Sequence, residues 1–390
     1  MNIVHLTPYY APAYAFGGVT RAVEGMARTL AMRGHRVSVL TTDALSQRER
    51  YTGALDSVQD GVHVVRVPNR SAWLRGRLNL STPLGMDRRA AELLADADIL
   101  HIHEFRTAEN LLVLPVAARL EVPTALSPHG TLTLSTGRGA LKSAWDRLLS
   151  PALARRVAAV IALTAQEADE ARAAWASFGV DPARGRFAVV PNGIDPEEFA
   201  DLSGRELFRA RYGLGDAPVC LFMGRLHARK GVDVLARAFR RADAPGARLV
   251  IAGPDEGMLP VLQAIHDERI VLTGYLDAAE RLEALAAADV FCLPATGEGL
   301  SMAALEALAA GLPVILSPGC NLPEAAEQGA GLIVEPQLEP LAAALRDLLG
   351  DAERRAAMGA SARLLVRARF TWASVAERLE AVYMGMLSNT

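Results

Sequence analysis

Short apolar runs that alternate with stretches of helical periodicity constrain this 390-residue chain more than any other feature. Residues 2–7 form an apolar run. Val19, Val23, Met26, Ala27 and Leu30 then recur at helical spacing, Gly34 supplies a stop, and Arg36–Thr41 alternates around Val37, Val39 and Thr41. A strand, a helix and a second strand in this order imply a parallel sheet with right-handed crossovers. Further strands are expected at Val62–Val67, Ile99–His103, Thr124–Ser127, Val157–Leu163 and Phe187–Val190. After the turn sequence Pro191-Asn192-Gly193-Ile194-Asp195 the pattern restarts, with strands at Val219–Met223, Arg248–Ala252, Ile270–Thr273, Val290–Leu293 and Val314–Leu316. The chain is also too long for one ordinary core, since domains hold roughly 100–200 residues. The expected architecture is α/β, with two Rossmann-like parallel-sheet domains that face each other across a cleft. Residues 1–195 form the first, 196–370 the second, and 371–390 a final amphipathic helix. Clefts at the carboxyl edges of such sheets are preferred ligand sites.

Composition removes several classes of function. Hydrophobic residues make up 51% and charged residues 22%, which is globular rather than disordered. No apolar run reaches the roughly 18 residues that cross a bilayer. The first residues lack a basic leader and read as a strand, so a cytoplasmic protein is expected. Cys220, Cys292 and Cys320 are scattered, which fits a reducing compartment and argues against structural zinc. Residues 1–195 carry 22 Lys and Arg against 18 Asp and Glu, net +4, and the remainder is net −7, for a total of −3. That balance does not point to nucleic acid, but a mildly basic first half suits an anionic acceptor or a membrane surface. The arginines and Trp73 between Asn69 and Arg89 leave two readings open. One is a solvated loop; the other is contact with lipid headgroups at the inner face of the plasma membrane.

The chemistry concentrates in the second half. From Met302 to Ala310 every residue is apolar except Glu306. A helix apolar all round is buried, and a buried carboxylate needs a partner. A structural arginine or backbone amide is the plain choice; a ligand at the mouth of the sheet is the functional one. Gly297-Glu298-Gly299 opens that helix, and the amides near Leu300, Ser301 and Met302 can donate to a sugar or phosphate. Strand Val219–Met223 ends in Gly224-Arg225-Leu226, and Lys230-Gly231 opens the next helix. Two cations beside a helix N-terminus suit a diphosphate, and Lys230 is one of only two lysines, with Lys142. Carboxylates for hydroxyls and cations for phosphates are what a nucleotide sugar demands.

The first half offers weaker signals. Gly17-Gly18 sits at the first strand-to-helix turn, where backbone amides can meet an anion, although the dinucleotide pattern GxGxxG is absent. His129, between Pro128 and Gly130, follows a strand at its carboxyl end. His101 and His103 share one face of a strand, but no third ligand is evident, so no metal site is assigned. Asp96-Ala97-Asp98 lies at the wrong end of its strand for a ligand site.

The spacing Glu298-x7-Glu306, with Ala309-Ala310-Gly311-Leu312-Pro313-Val314 after it, resembles the family 4 retaining glycosyltransferases of GT-B fold. Gly224-Arg225-Leu226, Lys230-Gly231, Pro191-Asn192-Gly193-Ile194-Asp195, Pro128-His129-Gly130 and Gly17-Gly18 complete the pattern over nearly the whole chain. The resemblance implies a hexosyl-type transferase of bacterial polysaccharide or glycolipid synthesis. It would take a UDP- or GDP-sugar donor and a glycan or polyprenyl-linked acceptor. It implies Arg225 and Lys230 on the donor diphosphate, Glu298 on the sugar hydroxyls, and Glu306 on the ribose. His129 would lie beside the donor sugar, Gly17 and Gly18 near the diphosphate, and Tyr275 and Leu276 near the base. Gly299, Leu300, Ser301 and Met302 would complete the donor site. Leu300 stands where the family usually has Phe, and Ser301 where Gly is commoner. Front-face substitution without a metal ion or other cofactor is the implied mechanism. A sugar-nucleotide epimerase or phosphorylase of the same fold, or a non-enzymatic nucleotide-sugar-binding subunit, are the alternatives.

Overall fold

The computed structural model describes residues 1–71, 73–74, 80–132 and 139–388. Two compact units emerge, one of Met1–Gly193 with Trp372–Thr390 and one of Ile194–Thr371.

The first unit is built on an eight-stranded sheet. Its strands are β1 (Asn2–Leu6), β2 (Arg36–Thr42), β3 (Asp56–Gln59), β4 (Val62–Val67), β5 (Ile99–His103), β6 (Thr124–Ser127), β7 (Ala159–Ala162) and β8 (Arg186–Val189). They lie in the order β3-β4-β2-β1-β5-β6-β7-β8. All pairs are parallel except β3 with β4. The short β3 escapes the sequence reading because Asp56-Ser57-Val58-Gln59 is polar and exposed, as an edge strand can be. The central strands are buried along their whole length except at Asn2, as parallel strands with both faces covered are. Leu100, Ile102, Phe105, Leu114, Leu126 and Trp175 belong to the core of this unit.

The helix Trp372–Leu387 belongs to this unit and packs on the helix Gly18–Met32. Gly25 lets it come close: a Cβ there would stand 2.1 Å from the Trp372 ring. Glu380 fixes the same helix by accepting from Arg33 Nε at 2.7 Å and lying 2.8 Å from His35 Nε2. The Arg33 bond holds the Glu380 carboxyl down at about 2.

The second unit is a six-stranded parallel sheet of β9 (Val219–Met223), β10 (Arg248–Ala252), β11 (Ile270–Gly274), β12 (Val290–Leu293), β13 (Val314–Leu316) and β14 (Gly331–Ile333). Their order is β11-β10-β9-β12-β13-β14. The chain thus grows outward from β9 to β11 and then jumps back to start again at β12. The first sheet makes the same reversal between β1 and β5. Such switch points are where open α/β sheets bind ligands, because the connecting loops diverge there and leave a crevice.

Among the described residues, no helix is long and apolar enough to cross a membrane. Within Asn69–Arg89, Arg75 and Arg77 lie outside the described residues, and Trp73 is 62% exposed. Met86–Leu94 is a helix, where irregular chain was expected up to Arg89. Arg89 there bonds Glu92 at 2.6 Å and pairs with Asp56 at 2.5 Å, so part of the stretch is tied to neighbouring acids.

Candidate active site

Lys230 and Glu298 are 68 positions apart in sequence, yet they follow adjacent strands, β9 and β12, at the switch point of the second sheet. Lys230 Nζ lies 2.8 Å from Glu298 Oε1, and both side chains are largely buried. The two loops interlock through the backbone. Thr296 donates its amide to the Arg229 carbonyl at 2.8 Å, and Arg229 Nη2 donates to the Gly297 carbonyl at 2.5 Å. Gly231 makes the close approach possible. It sits at φ +66°, and a Cβ there would meet the Pro294 carbonyl oxygen at 2.3 Å. On the far side, Glu298 donates its amide to the Gly319 carbonyl at 2.8 Å, and Asn321 Nδ2 donates to the Glu298 carbonyl at 2.7 Å. Glu298 is therefore held through its own amide and carbonyl while its carboxylate faces a cation.

Arg225 leaves the same strand end but pairs with Glu256, 2.9 Å away, and stays 45% exposed at its side chain. Its guanidinium can exchange that partner for a ligand at little cost, because an exposed ion pair contributes about 1 kcal/mol or less. Leu300, Ser301 and Met302 are all buried, and Ser301 caps the helix Met302–Ala309 by accepting from the Ala304 amide at 3.4 Å. The Ser301 hydroxyl thus serves as the cap of that helix terminus. Leu276 is buried and Tyr275 is 53% exposed at the end of β11.

Glu306 finds its partner within the protein. Its Oε1 lies 2.6 Å from Arg281 Nη1, and Arg281 also reaches Glu198 Oε1 at 2.8 Å. Burial pulls the Arg281 guanidinium down, and the charges of Glu306 and Glu198 more than reverse it. A structural arginine, one of the two partners open from sequence, is thus present. Nothing in the spacing could select Arg281, which arrives from the helix Ala278–Ala287 through the fold.

The first unit gathers its own polar cluster. His5 on β1 and His101 on β5 are register partners, so they share a face with His103. His5 Nδ1 lies 2.9 Å from His103 Nε2, and His103 Nδ1 lies 2.9 Å from His129 Nε2. His101 Nδ1 lies 2.7 Å from the Tyr383 hydroxyl and its Nε2 2.8 Å from Ser127 Oγ. His5 is the third imidazole that the spacing of His101 and His103 did not reveal. Nitrogens of the three lie within 4.8 Å of one another. Both nitrogens of His101 and of His103 are engaged by hydrogen-bonding neighbours, which makes the cluster a hydrogen-bonded network. Burial drives all four imidazoles toward the neutral form, His129 to about 4 and His5 to about 3.

His129 adopts φ +55°, a left-handed conformation uncommon for a side-chain-bearing residue, and Gly130 follows at +73°. Glu167 holds this turn. Its Oε1 accepts from the Gly130 amide and its Oε2 from the Leu163 amide at 2.6 Å. Thr164 and Glu167 have the spacing of a capping box, but only half of it forms. Thr164 accepts from the Glu167 amide at 3.1 Å, while the Glu167 carboxylate turns to the His129 loop. Gly17, at φ +106°, precedes the helix Gly18–Met32 and caps it without a side chain. Asp98 binds the Asn2 amide at the amino end of the sheet, away from these residues, as expected.

These features define a glycosyltransferase of GT-B fold, and comparison with known proteins agrees. The model for "Glycosyltransferase Family 4" matches residues 16–198, and that for "Glycosyl transferases group 1" matches residues 217–351. The chain is 30% identical to a glycogen synthase of Mycobacterium tuberculosis, over 98% of this chain and 94% of that one. It is 30% identical to a D-inositol 3-phosphate glycosyltransferase of Kineococcus radiotolerans, over 97% and 93%. A GDP-mannose-dependent alpha-(1-6)-phosphatidylinositol monomannoside mannosyltransferase of Mycobacterium tuberculosis is 32% identical over 75% of this chain and 78% of its own. Among solved structures, sucrose-phosphate synthase of Thermosynechococcus elongatus superposes with a TM-score of 0.77 at 20% identity, over the full length of both chains. An Anabaena protein in complex with UDP and glucose gives 0.74 at 17%, over 98% and 99%. The chain belongs to the group 1, family 4 glycosyltransferases.

Proposed function

We propose that this enzyme moves a sugar, with retention of anomeric configuration, from a UDP- or GDP-linked donor to a glycan or lipid-linked acceptor, and that it needs no metal ion. The observation that carries the proposal is the 2.8 Å Lys230–Glu298 pair at the switch point of the second sheet. A cation and a carboxylate held there in mutual contact match the two ends of a nucleotide sugar, the diphosphate and the sugar hydroxyls. On donor binding Lys230 and Arg225 turn to the diphosphate and Glu298 to the hydroxyls. The ribose falls to Glu306, whose carboxylate Arg281 holds in place, and the base to the Tyr275–Leu276 edge.

Catalysis is then positioning together with charge stabilisation. The bond from the anomeric carbon to the leaving phosphate oxygen breaks. That oxygen takes the acceptor hydroxyl proton, and the new glycosidic bond forms on the same face. Arg225 and Lys230 neutralise the charge that develops on the diphosphate. The names of the relatives support the substrate class, since they include a GDP-mannose-dependent enzyme and a glycogen synthase. The test is turnover of Lys230→Ala and Arg225→Ala across UDP- and GDP-sugars. Each should lose about 10²–10³ in kcat/KM while folding normally, as removal of a charged transition-state contact does. Wild-type turnover in both variants sinks the assignment.

A further inference from the structure

Both cations of the proposed diphosphate site already face a carboxylate. Lys230 meets Glu298, and Arg225 Nη1 donates to both oxygens of Glu256, at 2.9 and 3.1 Å. Glu256 follows β10 and Glu298 follows β12, on opposite flanks of β9. The two carboxylates differ in what a donor offers them. Glu298 turns to sugar hydroxyls when Lys230 turns to the phosphates. A nucleotide sugar offers Glu256 nothing in exchange, because its hydroxyls go to Glu298 and Glu306 and its phosphates repel a carboxylate.

The Glu256 contact is built into the backbone. The loops after β9 and β10 stay zipped beyond their strands. Gly224 donates its amide to the Ala252 carbonyl at 2.9 Å, Leu226 to the Pro254 carbonyl at 2.8 Å, and Glu256 to the Leu226 carbonyl at 3.1 Å. Leu226 and Asp255 form a parallel bridge. Gly253 permits this approach, since a Cβ there would overlap the Gly224 carbonyl oxygen. The Asp255 carboxylate accepts from the Gly257, Met258 and Leu259 amides at 3.0, 2.8 and 2.9 Å, which fixes the turn around Glu256. Glu256 is therefore set beside Arg225 by its main chain, whereas an ordinary surface pair must order two long side chains. The side chains are 25% and 45% exposed, so water screens the pair and lets it open.

We propose that Glu256 is a positioning residue that competes with the nucleoside diphosphate for Arg225 and so weakens the hold of the enzyme on its nucleotide. It keeps the Arg225 guanidinium at the strand end before the nucleotide binds and takes it back as the product nucleotide leaves. This role rests on the reading of Arg225 as a diphosphate ligand. Its signature is a gain: loss of the Glu256 charge improves binding.

The experiment is calorimetric titration of the full-length protein with UDP and with GDP, at low and high salt. Glu256→Gln keeps the shape of the side chain and one acceptor oxygen but removes the charge. It should bind the nucleotide about three- to fivefold more tightly, the worth of an exposed ion pair that no longer has to open. The gain should shrink at high ionic strength. The KM for the donor and the inhibition constant of the product nucleotide should fall with it. A merely structural role cannot give this result, because a damaged loop does not bind better. Arg225→Ala should weaken binding, and adding Glu256→Gln to it should change little further.

Unchanged or weaker binding in Glu256→Gln, with binding weakened in Arg225→Ala, overturns the competition and leaves the diphosphate reading standing. A gain that persists in full in the double variant overturns it as well, since Glu256 would then act on the nucleotide without Arg225. Wild-type affinity in Arg225→Ala, or binding of neither nucleotide by the wild type, removes the diphosphate reading itself.

Discussion

Arg281 and Glu306 place two opposite charges where water hardly reaches, with side chains 11% and 5% exposed. Breaking one side of such a pair is costly, because the other charge stays buried without compensation. Arg281→Leu should therefore destabilise the second unit by about 3–5 kcal/mol. The double change Arg281→Leu with Glu306→Leu should recover most of that loss, since apolar replacement of both partners is often close to neutral. Denaturant unfolding of the two variants decides it; equal losses in both would show that Glu306 depends on something other than Arg281. The need for a partner at Glu306 was legible in the sequence, because one carboxylate stands in an apolar helix. The partner was not, since Arg281 lies 25 positions upstream and meets Glu306 only through packing.

The strand-to-helix loops carry the candidate site, and their shape depends on positions without side chains. Gly231→Ala adds a Cβ against the Pro294 carbonyl in a left-handed backbone. It should cost about 1–3 kcal/mol and weaken donor binding, because the Lys230 loop must move away from the Glu298 loop. Calorimetric titration with UDP and GDP checks this; unchanged affinity and stability would mean the loops are less tightly docked than the contacts indicate. Most strands were readable to within a residue or two, because buried parallel strands are short apolar runs. Strand β3 was missed for its polar edge sequence, and β14 because Gly331-Leu332-Ile333 is too short to stand out. The pairing of Lys230 with Glu298 depends on strand order, which periodicity does not encode. Likewise His5 reads as an ordinary residue of an apolar strand until β1 is placed beside β5. Glu167 resembled a helix cap because its spacing from Thr164 is that of a capping box. Its true contact, the Gly130 amide, comes from a loop 37 positions away.

At the scale of the whole molecule the buried histidines make stability depend on pH. His5, His101, His103 and His129 are all held below the usual imidazole range by burial, with His129 at about 4 and His5 at about 3. In the unfolded chain they titrate near 6.5. Below that pH the unfolded state binds more protons than the folded one, so stability falls as pH falls. It is intact above about 7 and declines between about 6.5 and 4. Each imidazole contributes at most about 1.4 kcal/mol per pH unit. Glu109 and Glu167, whose carboxyls burial raises, offset part of the slope by taking up protons in the folded state. Urea midpoints measured from pH 7 to pH 5 should fall steeply, and replacing His5 with Phe should flatten the slope. A flat profile in the wild type would contradict neutral burial of the cluster.

In the proposed reaction a nucleotide sugar bound at the β9–β12 switch point reacts on its own leaving-group face, with Arg225 and Lys230 in place of a metal ion. The most direct measurement is the anomeric configuration of the first product, read by ¹H NMR in the presence of EDTA with an α-linked nucleotide-sugar donor. An α-linked product formed at the full metal-replete rate is expected. A β-linked product, or activity lost in EDTA and restored by Mn²⁺, would contradict it.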